Sequence, residues 1–308
     1  MVGEQETKMK KKLYVVTSIG IVICIMLMLI ICLKNKNIGN NNAKEHRREW
    51  WLKDIGLDNG EKTAYTGKGV VIAVVDTGIE KDVPEFCNNI IAEYLVENKQ
   101  IAYKNISHGT AICGIIAGKP SDDRGIKGIA SDVDIISIDV TDDEDGVVEC
   151  DDLVNGIRLA INNNVDIINI SVGCLKGSNQ LENVIKEAIQ KDIIIVASAG
   201  NYMSDSLMYP AAYDKVIAVG SLDRKGKIIS PKGKVDKSII YLPGTNIVSV
   251  IGRNKYSGCD GTSFSAAMCS GLVALLLDKK DDKKEVLKYL NEVNSLKNRN
   301  FIDIINAF

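Results

Sequence analysis

Short, strongly β-branched runs recur along this 308-residue chain, at 70–75, 135–140, 166–172, 193–199, 216–219 and 247–251, each bounded by turn residues. Runs this apolar suit strands buried on both faces, as in a parallel sheet. Helical stretches lie between them. Residues 152–163 set Leu153, Ile157, Leu159, Ala160 and Ile161 at mainly helical spacings, and 181–191 put Leu181, Val184, Ile185, Ala188 and Ile189 on one face. Two more helices are expected over 263–277 and 283–290. Strands alternating with helices require crossover connections, so the predicted fold is α/β: a three-layer sandwich around a central, mostly parallel sheet. With 45% hydrophobic residues the chain can bury one deep core. No internal repeat and no second domain interrupts the pattern.

One segment stands outside it. Residues 13–33 carry no charge and, at about 1.5 Å per residue, span roughly 30 Å, the thickness of a bilayer core. A cleaved signal would have a shorter apolar core and a small residue before the cut, whereas this run closes Leu29-Ile30-Ile31-Cys32-Leu33-Lys34. Bulky Ile31 also argues against lipid modification of Cys32. The expectation is an uncleaved transmembrane helix over 13–33, after a basic cytoplasmic segment over 1–12. A solvated, Asn-rich linker follows over 34–49, then one folded domain over 50–308. Lys8, Lys10, Lys11 and Lys12 crowd the start of the span, more densely than Lys34, Lys36, Lys44, Arg47 and Arg48 follow it. That asymmetry places the folded domain outside the cell, on a single-pass protein of the cell membrane.

A formal net charge of −2 argues against a nucleic-acid partner. Cys24 and Cys32 fall in the apolar segment. Cys87, Cys113, Cys150, Cys174, Cys259 and Cys269 are scattered, with no CxxC pair and no metal-site spacing. In a chain with a large core such cysteines are more often buried apolar groups, but spacing leaves disulfides open.

In open α/β sheets functional groups gather beyond the carboxyl ends of the strands. Asp76 follows the run 70–75, Asn201 follows 193–199 through Gly200, and Ser263 opens an apolar helix after Gly261-Thr262. Taken singly, each reads as a cap or a turn former. Histidine changes that balance. The chain has only His46, in the linker, and His108, in Ser107-His108-Gly109-Thr110. A hydroxyl nucleophile needs a base that titrates near neutrality, and that base needs a carboxylate to fix its tautomer. His108, Asp76 and Ser263 fill those roles.

The segments Val74-Val75-Asp76-Thr77-Gly78, His108-Gly109-Thr110 and Gly261-Thr262-Ser263 resemble, in order, the signature segments of the subtilisin-like serine peptidases. The resemblance extends from about residue 50 to 277, through Tyr65-Thr66-Gly67-Lys68-Gly69, Asn169-Ile170-Ser171-Val172-Gly173, Ala199-Gly200-Asn201, Tyr209-Pro210-Ala211 and 216–220. It implies that Ser263 attacks the scissile carbonyl, His108 moves the proton, and Asp76 orients His108. It further implies that Asn201 donates to the oxyanion, and that Ser171, Val172 and Gly173, with Gly200, hold the substrate. Peptides or proteins are the implied substrates. No cofactor is required; calcium stays open, from Asp122 and Asp123 or the acidic residues after 140, with no ligands assigned.

This sequence departs from the family in places. Ala267 stands where many members have Pro. Cys174 replaces a glycine after the substrate strand, so the rim of the S1 pocket is expected to differ. Cys113, five residues after His108, is expected to face the core. The acidic run Asp142-Asp143-Glu144-Asp145, with Glu149, Asp151 and Asp152 behind it, reads either as a solvated loop or as an attractor of Lys or Arg at P2 or P4. Only residues 34–49 separate the apolar segment from the domain, where secreted members carry a propeptide. An enzyme that folds unaided, or meets its inhibitor as a separate chain, is the expectation. Such an enzyme resembles the peptidases that trim leaders from bacteriocin precursors. The alternative is an inactive homologue serving as a peptide-binding or regulatory module, which would have lost triad members. A nucleotide-binding domain would need a glycine-rich phosphate loop, and neither GxGxxG nor GxxxxGK[ST] occurs.

Overall fold

The computed structural model describes residues 50–294 other than 56, 58–63, 87, 97–105, 121–125, 142–147, 202–205 and 232–235. The expected membrane helix over 13–33, the linker over 34–49, Asp122, Asp123 and the acidic run 142–145 lie outside the described residues. Among the described residues no helix is long and apolar enough to cross a membrane.

In chain order the elements are α1 (Trp50–Asp54), β1 (Val71–Asp76), β2 (Ile90–Leu95), α2 (Ser107–Ala117), β3 (Asp134–Asp139), α3 (Cys150–Asn162), β4 (Ile167–Ile170) and α4 (Asn179–Gln190). There follow β5 (Ile194–Ser198), β6 (Ile217–Leu222), β7 (Ile228–Ser230), β8 (Ile239–Pro243), β9 (Ile247–Gly252), β10 (Lys255–Cys259), α5 (Thr262–Lys280) and α6 (Lys283–Asn294). The eight-stranded sheet runs β2-β3-β1-β4-β5-β6-β7, with β8 paired to β6. All its pairings are parallel except β6 with β7.

Side chains alternate between two cores, as the pleat requires. Ile72 and Val74 of β1, with Ile135, Ile167 and Val196, pack against Ile112, Ile115 and Ile116 of α2 and Leu272, Leu275 and Leu276 of α5. Ala73 and Val75, with Ile138, Ile168, Ile170 and Ile195, meet Leu153, Ile157 and Ile161 of α3 and Leu181, Val184 and Ile185 of α4. Burying each such aliphatic side chain contributes about 1.5–3 kcal/mol, so both faces of the sheet are committed to its register. Helix α5 is buried from Thr262 to Leu277 and behaves as a core element on every side.

One expected strand has a different place. The run 247–251 belongs to β9, which pairs antiparallel with β10 in a separate two-stranded sheet. The cause is connection length. Only 244–246 separate β8 from β9 and only 253–254 separate β9 from β10, whereas a parallel crossover needs a dozen residues or more. The apolar side chains Ile247 and Val250 cover α2 instead, and Ser249 Oγ donates to Ala111 O at 2.8 Å. Strands β1, β4 and β5 run parallel, so Asp76, Ser171 and Gly200 emerge on one edge of the sheet.

Candidate active site

At that edge the motif after β1 and the motif opening α2 lock together. Asp76 is 1% exposed. Its Oδ1 accepts from Thr77 N and from His108 Nδ1, both at 2.7 Å. Gly109 N donates to Thr77 Oγ1 at 3.1 Å, and Thr110 Oγ1 accepts from Glu80 N at 2.9 Å while donating to Ile106 O at 2.6 Å. Glycine is required at 109, because a Cβ there would lie 2.2 Å from Gly78 O. The short residues around His108 thus seat its ring on Asp76.

Bonding through Nδ1 fixes the tautomer of the neutral ring and leaves Nε2 as the proton acceptor. Burial pushes the His108 pKa down, but the charge of Asp76 and its hydrogen bond outweigh that, and the value lies above the ordinary 6.5. Cys113, one turn further along α2, is fully buried; burial and then the Asp76 charge push its thiol pKa up, so it stays protonated.

The start of α5 completes the constellation. Phe264 packs tilted against the His108 ring, centroids 5.3 Å apart, which ties the start of α5 to the imidazole. Ser263 is 6% exposed, and its Oγ donates to Ser171 O at 3.0 Å. That bond ties the hydroxyl to the segment that follows β4. A buried relay supports the serine from behind. Ser270 Oγ donates to Asn169 Oδ1 at 2.9 Å, Asn169 Nδ2 to Ser171 Oγ at 2.9 Å, and Ser171 Oγ to Ser263 O at 3.3 Å.

Asn201 is held by its other end. Its Oδ1 accepts from Thr262 N at 2.8 Å and Thr262 Oγ1 at 3.0 Å, which leaves Nδ2 as the donor it can offer an oxyanion. Gly200 N donates to Thr262 Oγ1 at 3.2 Å, tying the segment after β5 to the N-terminus of α5. Beyond β4, Ser171 to Gly173 have left the sheet, and pairing resumes at Cys174, which bridges to Tyr209. Val172 and Gly173 therefore present an edge that an extended peptide can join.

All the residues expected from the sequence to form the site sit at this edge of the sheet. Their supports are legible only in part: Thr77 and Thr262 fall inside the matched segments, whereas Ser270, in the interior of α5, reaches the site only through Asn169. The cysteine expectation is corrected in part. Cys113 and Cys269 are buried and free, but Cys150, in the first turn of α3, is bonded to Cys174 with Cα atoms 6.1 Å apart. Sequence spacing across 24 residues held no sign of that pairing.

Residues 67–298 match the model of the subtilase family. The major intracellular serine protease of Bacillus subtilis (strain 168) is 33% identical over 239 residues, covering 74% of this chain and 71% of that protein. The thermophilic serine proteinase of Bacillus sp. (strain AK1) is 30% identical over 247 residues, covering 77% of this chain; the match spans only 61% of that protein. Among solved structures, the prenylagaramide maturation protease PagA superposes with a TM-score of 0.65 at 28% identity, over 78% of this chain and 87% of that one.

Proposed function

Because the chain belongs to the subtilase family, we propose that it is a membrane-anchored serine endopeptidase that cleaves peptide bonds through an acyl-enzyme on Ser263. The observation that carries the reading is the Asp76–His108 hydrogen bond at 2.7 Å beside a serine at the start of a buried helix. A peptide adds to the edge at Val172 and Gly173, with its scissile carbonyl against Ser263 Oγ. His108 Nε2 takes the hydroxyl proton as Oγ attacks, and Asp76 stabilises the imidazolium that forms. Negative charge develops on the carbonyl oxygen and is met by Asn201 Nδ2 and the N–H of Ser263, one of the amides left unpaired at a helix N-terminus. His108 then protonates the leaving amine. Water repeats the sequence in reverse and frees the acyl group.

The apolar run 13–33 supports the anchor, and the lysines before it support a catalytic domain outside the cell. Processing of a secreted peptide precursor is the proposed task. The shortness of 34–49 supports it, and PagA, a maturation protease by name, is a structural relative.

The test is labelling of the full-length chain in detergent with a fluorophosphonate, which modifies activated serines. Wild type is expected to label and Ser263→Ala not to. A folded wild type that stays unlabelled would overturn the peptidase reading and favour an inactive, peptide-binding homologue.

A further inference from the structure

We propose that the side chain of Met208 fills the slot that receives the substrate residue before the cleaved bond, and that the enzyme therefore cuts after glycine, alanine or serine. The inference rests on the peptidase reading above and deepens it. A peptide paired along Ser171 to Gly173, with its carbonyl between Ser263 and Asn201, must drop that P1 side chain between two segments. One is the edge ending in Gly173, the other the segment Ala199-Gly200-Asn201.

Both walls are glycine at the level of the slot, which would ordinarily clear room for a large side chain. Here the room is taken. A Cβ placed on Gly200 would lie 2.7 Å from Met208 Cγ and 2.9 Å from its Sδ, and one on Gly173 would lie 3.5 Å from Met208 Cε. The thioether thus runs from one glycine to the other across the gap.

Its backbone is fixed on both sides. Met208 N donates to Ala199 O at 3.1 Å, and the next residue, Tyr209, exchanges two hydrogen bonds of 2.9 Å with Cys174. Cys174 is in turn bonded to Cys150 on α3. Methionine is a flexible side chain, but with its Cβ held between the walls it has the slot itself to occupy. Glycine at 200 makes space for Met208 rather than for substrate, whereas glycine at 173 is set by the Tyr209 carbonyl oxygen, 2.6 Å from where its Cβ would lie, with Met208 in van der Waals contact beyond it.

A hydrophobic pocket discriminates about 10–200-fold on a single methylene. Phenylalanine and leucine exceed alanine by several carbons, so a preference for Ala over Phe or Leu of at least about 100-fold in kcat/KM is expected by the same reasoning.

The experiment profiles the full-length chain in detergent against peptide libraries varied at P1, with fluorophosphonate labelling run in parallel. Wild type is expected to cleave after Gly, Ala and Ser. Met208→Gly is expected still to label, and to gain at least about 10-fold on Phe and Leu relative to Ala. Wild type that cuts after Phe or Leu as readily as after Ala overturns the assignment and leaves the peptidase reading standing. So does a Met208→Gly variant that labels but keeps the wild-type ratio of Ala to Phe and Leu cleavage. Should Met208→Gly not label, Met208→Ala takes its place, and the wild-type profile decides on its own. A wild type that never labels overturns the peptidase reading and this inference with it.

Discussion

Gly109 shows how tightly single residues specify this site. A methyl group there would come within 2.2 Å of the Gly78 carbonyl oxygen, a backbone atom that cannot swing away. Gly109→Ala is expected to push α2 off the β1 motif, stretching the Asp76–His108 bond. Overpacking of this kind costs about 1–3 kcal/mol, so a lower Tm together with slower fluorophosphonate labelling is the expected readout. Asn201 makes a separate claim. Removal of the oxyanion asparagine of subtilisin costs about 10²–10³ in kcat, and the same loss is expected for Asn201→Ala, with KM nearly unchanged, in steady-state peptide assays. At this scale the sequence was readable wherever the chemistry is local. Asp76-Thr77-Gly78, His108-Gly109-Thr110 and Thr262-Ser263 each bring a reactive group and its immediate supports within three residues. Met208 was not readable, because its role exists only where 199–201 and 171–174, far apart in sequence, enclose it.

The elements obey the same division. Strands β1, β3, β4, β5 and β6 were legible because both their faces are apolar, and α3 and α4 because each has one apolar stripe. β9 was legible as a strand but misplaced, since its pairing depends on the length of the connections rather than on its own composition. Strands β2, β7, β8 and β10 were missed; β10 is Lys255–Cys259, KYSGC, largely exposed and with no apolar face to reveal it. Close packing between elements provides a test. In α3, a Cβ on Gly156 would lie 2.4 Å from Val140 Cγ1 and 3.3 Å from Val75 Cγ1. Gly156→Ala is expected to destabilise the domain by about 1–3 kcal/mol, a fall of several degrees in Tm by calorimetry. Labelling at low temperature should persist, because α3 packs on the face of the sheet away from α2 and α5.

At the scale of the whole molecule, the parallel sheet collects strand ends and helix starts on one edge, and the chemistry follows from that placement. The proposed anchor adds a second expectation. The full-length chain should stay with membranes through alkaline carbonate and leave only with detergent, whereas release by carbonate would contradict it. The electrostatics of the site set its pH dependence. Asp76 holds the His108 pKa above 6.5, so their ion pair contributes stability below that pH and loses it as pH rises through the elevated value. Catalysis runs the other way, since only neutral His108 can accept the serine proton.

The most direct test is therefore the rate of fluorophosphonate labelling as a function of pH, in wild type, Asp76→Asn and Ser263→Ala. Wild-type labelling should rise through a midpoint above 6.5. Asp76→Asn should move that midpoint lower and slow the plateau by about 10⁴, as loss of the triad aspartate does in serine proteases, and Ser263→Ala should not label at all. A wild-type rate independent of pH, or an Asp76→Asn profile matching wild type, would contradict the triad.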